Sequence, residues 1–351
     1  MVNAQIGAHR QPVSVAQRSS CRVVPKSAGL SSAGVLTVSN ADRVVFPAVG
    51  RTKGDVVAYY ARVAERALVH VVDRPMSIRR YPKGLAAPGF FQKNMPAHYP
   101  ASFGRLEVAR SDAATKRHAK KGSAERDVTV YPIVREAEHL AYLANQGAIE
   151  LHVPTARASD PLSPDRLVLD LDPPEGEVAL VRRAALLARE ALARHGLESA
   201  PMATGSKGYH VVAALDGAAQ GHVVASATQK LAALLAAEHP AELTITFRVA
   251  RRGERVFVDW LRNNPFATVV APYSLRARPR ATVATPLAWS ELDRVAPDLF
   301  SIDDVDLLLE RPDTLAELSA RPGDGLAFVA SVDAAFERSG LVLETFDRFR
   351  G

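Results

Sequence analysis

Cysteine is nearly absent: Cys21 is the only one in 351 residues. This excludes a disulfide framework and a zinc site built on cysteines, and it fits a reducing cytosol. Long apolar runs are missing too, so no segment reads as a membrane span. The first thirty residues, "MVNAQIGAHRQPVSVAQRSSCRVVPKSAGL", lack the continuous apolar core of a secretory signal. Residues 1–34 therefore read as a flexible basic leader. Aromatic residues are only 6% of the chain, so adjacent rings such as Phe90 and Phe91 draw notice. Acid is in deficit: 44 Lys and Arg against 38 Asp and Glu leave a formal charge of +6. That balance points to an anionic partner, and the preponderance of Arg favours planar contact with phosphate.

Apolar content is ample, at 47%, and supports one large or two ordinary domains. Order is expected from about Val35. "VVFPAVGRTKGDVVAYYARVAERALVHVV" reads as a Pro/Gly turn and an amphipathic helix that buries Val56, Val57, Tyr60 and Val63. "RPMSIRRYPKG" reads as a short strand and turn, and the basic run Thr115–Arg126 as an exposed loop. "AYLANQGAIELHVP" predicts a helix capped by Gly147, then a strand. The Pro-rich "ASDPLSPD" marks a boundary near residue 160. Beyond it the pattern predicts a strand over 167–171, a helix over 178–195, a hairpin around "MATGSKGYHVVAAL", a helix over 223–238 and a second hairpin in "ITFRVARRGERVFVDW". This βαββαβ alternation predicts a ferredoxin-like layer with mixed strand directions.

Four constellations carry chemistry. In "LVLDLDPPEG" side chains alternate, so Asp170 and Asp172 share one face of a strand. Like charges there cost stability unless a cation sits between them, although such a pair also serves as a turn or cap. "VFVDWLRNNP" ends a second apolar strand on Asp259. Three carboxylates on converging strand ends form a hard oxygen site suited to Mg²⁺ or Mn²⁺. "ATGSKGYHVV" offers glycines for close approach, hydroxyls at Thr204 and Ser206, and positive groups at Lys207 and His210. It lacks the Walker A spacing, and His210 also reads as an ordinary core histidine. Finally, Arg43, Lys53, Arg79, Arg80 and Lys93 are interleaved with Tyr81, Phe90 and Phe91, a pattern suited to single-stranded or gapped nucleic acid.

"DRVVFPAVGRTKGDVVAYY", "RRYPKG", "FFQKN", "LANQGAIELHVP", "LVLDLDP", "TGSKGYH", "VFVDWLRNNP" and "TVVAPYSLRARPRATVATPLAW", in this order, resemble the polymerase domain of bacterial DNA ligase D. That domain belongs to the archaeo-eukaryotic primase superfamily. The resemblance runs from about Leu36 to Leu292. The ligase pattern KxDG is absent and no nuclease motif is found, so the chain is similar to a stand-alone form, the bacterial primase-polymerase C.

The resemblance implies an α+β primase fold, with an N-terminal DNA and 5′-phosphate-binding module over 35–160 packed on an RRM-like catalytic module over 161–292. Residues 293–351 read as a C-terminal helical extension. It implies metal binding and catalysis by Asp170, Asp172 and Asp259, with Mn²⁺ preferred over Mg²⁺. It implies nucleotide contacts from His152, Thr204, Ser206, Lys207, His210 and Arg276. Arg43, where the family usually has Lys, and Lys53 would grip a 5′-phosphate, and Phe90 and Phe91 would stack on the template. The expected activity is addition of nucleotides, often ribonucleotides, to 3′ ends in short gaps or at broken ends in end joining or excision repair. NTP or dNTP would be the substrates, DNA-end-binding and ligase proteins the partners, and the cytoplasmic nucleoid the location, with no membrane. The loop over 113–126 is longer and more basic than in the family, which puts end pairing in question. A metal-dependent nuclease and a non-catalytic DNA-end binder are the competing readings.

Overall fold

The computed structural model describes residues 21–23, 36–109 and 128–343. Of the expected leader only Cys21–Val23 (β1) is described, and it forms a strand. The basic run Thr115–Arg126 lies outside the described residues.

The first module opens with the ribbon β2 (Val44–Phe46) and β3 (Arg51–Thr52). Helix α1 (Lys53–Arg62) begins immediately, because Thr52 and Asp55 form a reciprocal capping box. Its expected continuation is broken at Val63 and resumes as α2 (Ala64–Val71), with Val63 itself buried in the core. Strands β4 (Ser77–Arg80) and β5 (Phe90–Gln92) form an antiparallel hairpin, and β6 (Gly104–Ala109) and β7 (Val128–Ile133) another, on whose edge β1 lies. Helix α3 (Ala137–Asn145) ends where Gly147 takes the left-handed φ of +83°, as its place after the apolar run predicts. The fully buried β8 (Ala148–Val153) then runs beside β4.

The second module is built on β9 (Arg166–Asp172), α4 (Val178–Arg194), β10 (Ser199–Ala203), β11 (Tyr209–Ala214), α5 (Gly221–Glu238), β12 (Leu243–Thr244) and β13 (Val256–Asp259). The four long strands lie in the order β13-β9-β11-β10, each antiparallel to its neighbour. This is the expected βαββαβ layer, with β9 and β11 at its centre. The second expected hairpin does not form. Instead β12 pairs parallel with β13, and residues 249–251 make a 3₁₀ turn. Arg252 explains the difference: its guanidinium bonds the carbonyls of Thr246 and Phe247 at 3.0 and 3.2 Å and lies 3.8 Å from the Phe257 ring centre. These contacts tie residues 246–247 back onto Arg252 in a loop.

After the boundary expected at 160 the chain crosses between the two sheets again. Strand β14 (Val269–Val270) returns to the first module and pairs with β8, while β15 (Thr285–Pro286) goes back to β10. Hydrogen bonds enforce this crossing. Tyr59 donates to the Tyr273 carbonyl at 2.9 Å, and Leu151 N–H donates to Ser274 Oγ at 2.8 Å. One apolar core runs continuously through both modules.

Beyond residue 292 the described residues form three α-helices, α6 (Val305–Glu310), α7 (Thr314–Ser319) and α8 (Gly325–Ser339). Helix α8 packs on α5, and α7 on β10 and β11. Among the described residues, no helix is long and apolar enough to cross a membrane.

Candidate active site

The carboxylates are set by strand register. Asp170 and Asp172 stand two residues apart on β9, and Asp259 on β13 is directly opposite Asp170. His210 on β11 is opposite Asp170 on the other side. In antiparallel neighbours opposed residues share a face, so all four point the same way. The charges are strongly interdependent. Burial alone would raise the Asp170 carboxyl, but His210 at 3.4 Å and Arg262 at 3.2 Å hold it far below the usual range. Burial and the neighbouring Asp170 charge raise Asp172. Asp259 is pushed up to about 6, first by burial and then by its two acidic neighbours, against the opposing pull of Arg262.

Arg262 is the residue that the sequence reading missed. It sits on the turn after β13, with Nε 3.2 Å from Asp170 and Nη2 3.2 Å from Asp259. The cation called for by two adjacent carboxylates is here an internal one. Among the described residues, no three His, Cys, Asp or Glu side chains gather closely enough to enclose an ion. The donor set of three carboxylates, two of them raised first by burial and then by their acidic neighbours, suits a hard divalent ion.

The loop between β10 and β11 presses against this face. A Cβ on Gly208 would lie 2.0 Å from the Leu171 carbonyl, between the two β9 aspartates. Gly205 adopts φ +65° and packs against Arg276. The Thr204 hydroxyl donates to the Gly208 carbonyl at 2.7 Å, so its proton is committed to the loop and is not offered to a ligand. Ser206 Oγ accepts from Arg278 at 2.6 Å. Lys207 Nζ donates to the Pro173 carbonyl at 3.1 Å and lies 3.6 Å from Asp172. His210 Nδ1 is buried with no hydrogen-bond partner among the described residues.

The opposite wall comes from β4, β5 and β8. His152 Nε2 is 3.0 Å from Glu150, and burial, opposed by Glu150, lowers its pKa. In the neutral ring Nε2–H therefore donates to the carboxylate and Nδ1 is left an acceptor, a partner for a hydroxyl or amine rather than for a phosphate oxygen. Arg276 donates to the Thr204 carbonyl and lies 3.4 Å from Glu150. Phe91 packs edge-on against His152 at 5.2 Å. Together these residues line a pocket of about 400 Å³, which also admits Arg79, Arg262 and Arg278. Phe90 does not join it. Adjacent residues of a strand face opposite ways, so the two rings separate, and Phe90 lies beside Arg80.

Arg43 and Lys53 meet in a different cleft, of about 190 Å³, with Ser39, Arg80 and Asn145. Lys53 donates to the Ser39 carbonyl and hydroxyl at 2.6 and 2.8 Å. Burial, then the Arg43 charge, lowers its pKa. Two cations crowded at a helix N-terminus favour an anion.

A family model described as "LigD, primase-polymerase domain" matches residues 52–315. The chain belongs to this LigD primase-polymerase family. It is similar to the multifunctional non-homologous end joining DNA repair protein LigD of Mycobacterium tuberculosis, 38% identical over 298 residues, covering 82% of this chain and 37% of that protein. It is similar also to the LigD of Mycolicibacterium smegmatis, 34% identical over 291 residues, covering 81% and 36%. The chain thus spans little more than a third of these relatives. Among solved structures it is similar to the polymerase domain of M. tuberculosis Ligase D in complex with DNA: TM-score 0.71, 36% identity, 82% of this chain and 99% of that one. The α+β architecture is that of the LigD primase-polymerase domain, a metal-dependent, DNA-directed nucleotidyltransferase.

Proposed function

We propose that this LigD-type domain adds nucleotides to 3′ ends within short gaps or at broken DNA ends, in end joining or excision repair on the bacterial nucleoid. The main support is the pairing of two sites: a pocket lined by Asp170, Asp172 and several cations, with Asp259 opposite Asp170, and a second cleft where Arg43 and Lys53 meet beside Arg80. A polymerase of open templates needs only the first; a gap filler has use for both.

In this reading Asp170, Asp172 and Asp259 hold a divalent ion, Mn²⁺ by preference or Mg²⁺. When bound, it supplies Lewis acidity at the 3′ oxygen and neutralises phosphate charge. Ser206, Lys207, His210 and Arg276 receive the NTP or dNTP phosphates, and His152 takes a hydroxyl or amine of the nucleoside. Thr204 shapes the loop. Phe91 stacks on the bending template, with Phe90 on the reverse face, and Arg43 and Lys53 hold the downstream 5′-phosphate. DNA-end-binding and ligase proteins are the partners this role requires.

The test is extension and binding with Mn²⁺ on DNA carrying a gap of one to three nucleotides, ending downstream in a 5′-phosphate or a 5′-hydroxyl. The wild type should extend the primer, and Asp259→Ala should lose about a hundredfold or more in rate while still binding DNA. The phosphate should tighten wild-type binding roughly tenfold to a hundredfold, and do nothing for Arg43→Ala/Lys53→Ala. No extension, or cleavage in its place, would overturn the polymerase reading. Equal affinity for both ends would overturn the gap.

A further inference from the structure

Glu150 is a charge with no role in the reading above. It is 2% exposed, and its carboxylate is surrounded by the pocket's own groups. His152 Nε2 lies at 3.0 Å, the Ala277 N–H donates to it at 3.0 Å, Arg276 Nε is at 3.4 Å and Arg79 Nη1 at 3.8 Å. Arg79 is its cross-strand partner and carries its guanidinium beside the rings of Tyr81 and Phe91. Despite burial, its hydrogen bond to His152 and the charge of Arg276 hold its pKa at about 2, so it is an anion at any working pH.

A buried carboxylate below a triphosphate pocket poses a sign problem. By charge alone it repels the ligand, and its removal would tighten binding. Geometry argues the reverse. An arginine is long, and its fork loses orientation unless held. Arg276 lines the pocket, held on one side by its hydrogen bond to the Thr204 carbonyl and on the other by the Glu150 charge 3.4 Å from its Nε, an ion pair without a hydrogen bond. The same carboxylate selects the His152 tautomer and anchors the backbone just after Arg276 through Ala277.

We infer that Glu150 is a positioning residue for the incoming nucleotide, fixing Arg276 and His152 in their binding orientations from beneath the pocket. This rests on the nucleotide-addition reading and adds to it the residue that organises the site.

The experiment uses the full chain, gapped DNA, a natural nucleoside triphosphate and a fluorescent non-hydrolysable triphosphate analogue. The isosteric Glu150→Gln should raise the nucleotide KM about tenfold with kcat within about threefold, and weaken analogue binding by the same factor. DNA affinity should stay near wild type, Tm should fall by a few degrees because Arg276 and Arg79 lose a buried counter-charge, and Glu150→Asp should fall between. In an Arg276→Ala background Glu150→Gln should have little further effect, because its route is already gone. Unchanged or tighter analogue binding by Glu150→Gln would overturn the inference. So would full additivity with Arg276→Ala, or a joint fall of Tm, DNA affinity and nucleotide affinity. Wild type that binds the analogue but never extends DNA would overturn the function itself, a separate result.

Discussion

Asp165 shows how much one side chain carries when charges are buried. Arg74 is wholly buried and meets both its oxygens, at 2.6 and 2.5 Å, while Arg157 and Arg166 approach at 2.8 and 3.3 Å. Burial opposes its ionisation, but the three guanidinium groups outweigh it and hold its pKa at about 2. Replacing one member of a buried charge cluster strands the rest, so Asp165→Asn should cost about 3–5 kcal/mol in urea unfolding. The sign with pH follows from the direction of the shift. A depressed carboxylate contributes above its unfolded value near 4 and loses that contribution as the pH falls toward 2, here about 2 kcal/mol. The wild-type minus Asp165→Asn difference should therefore shrink in acid; a difference flat across that window would sink the account.

At the scale of elements, the β9–β11 pair carries two of the three aspartates and the glycine loop beside them. Leu171 lies opposite Tyr209, and Gly208 ends the loop just before it. The 2.0 Å approach of a Gly208 Cβ to the Leu171 carbonyl means that any side chain there must part the strands between Asp170 and Asp172. Gly208→Ala should lower nucleotide addition about a hundredfold and Tm by a few degrees. Gly217 is the control: its φ is +76° but nothing lies within 4 Å of its Cβ position, so Gly217→Ala should cost about 1 kcal/mol and leave the rate alone. Equal effects of the two would contradict the argument. The alternation of "LVLDLDPP" is readable by eye, and β9 follows it. "ITFRVARR" reads equally as a strand, yet it is a loop, because Arg252 folds back on carbonyls that a linear pattern cannot assign to it.

For the whole molecule, the extension past residue 292 is a clamp. Asp303 pairs with Arg51, Asp306 with Arg62, and Asp313 with His70 at 2.8 Å, so residues 303–313 run along the α1–α2 side of the first module. The first two pairs are exposed and add little. Asp313 is different: it is buried, caps α7 through Ala316 N–H at 3.0 Å and accepts from Tyr273 at 3.0 Å. Asp313→Ala should cost about 2–4 kcal/mol and lower Tm by roughly 5 °C, with Asp313→Asn recovering part through the cap. Calorimetry showing no change would reduce the extension to an appendage.

The sequence alone determines the β9 aspartate pair, the Asp259 strand end, the glycine loop before Tyr209 and the βαββαβ order, because strand period, turn chemistry and helix caps are local. It also carries Phe90 and Phe91 as neighbours but not their separation to opposite faces of a sheet. Only the tertiary structure decides that Arg262 stands between two of the aspartates, that Arg43 and Lys53 share one cleft, that Thr204 spends its proton on its own loop and that Glu150 lies under Arg276. Each of these depends on cross-strand register and on where the chain returns after β13, contacts between residues far apart in sequence whose charges carry no mark of their partners.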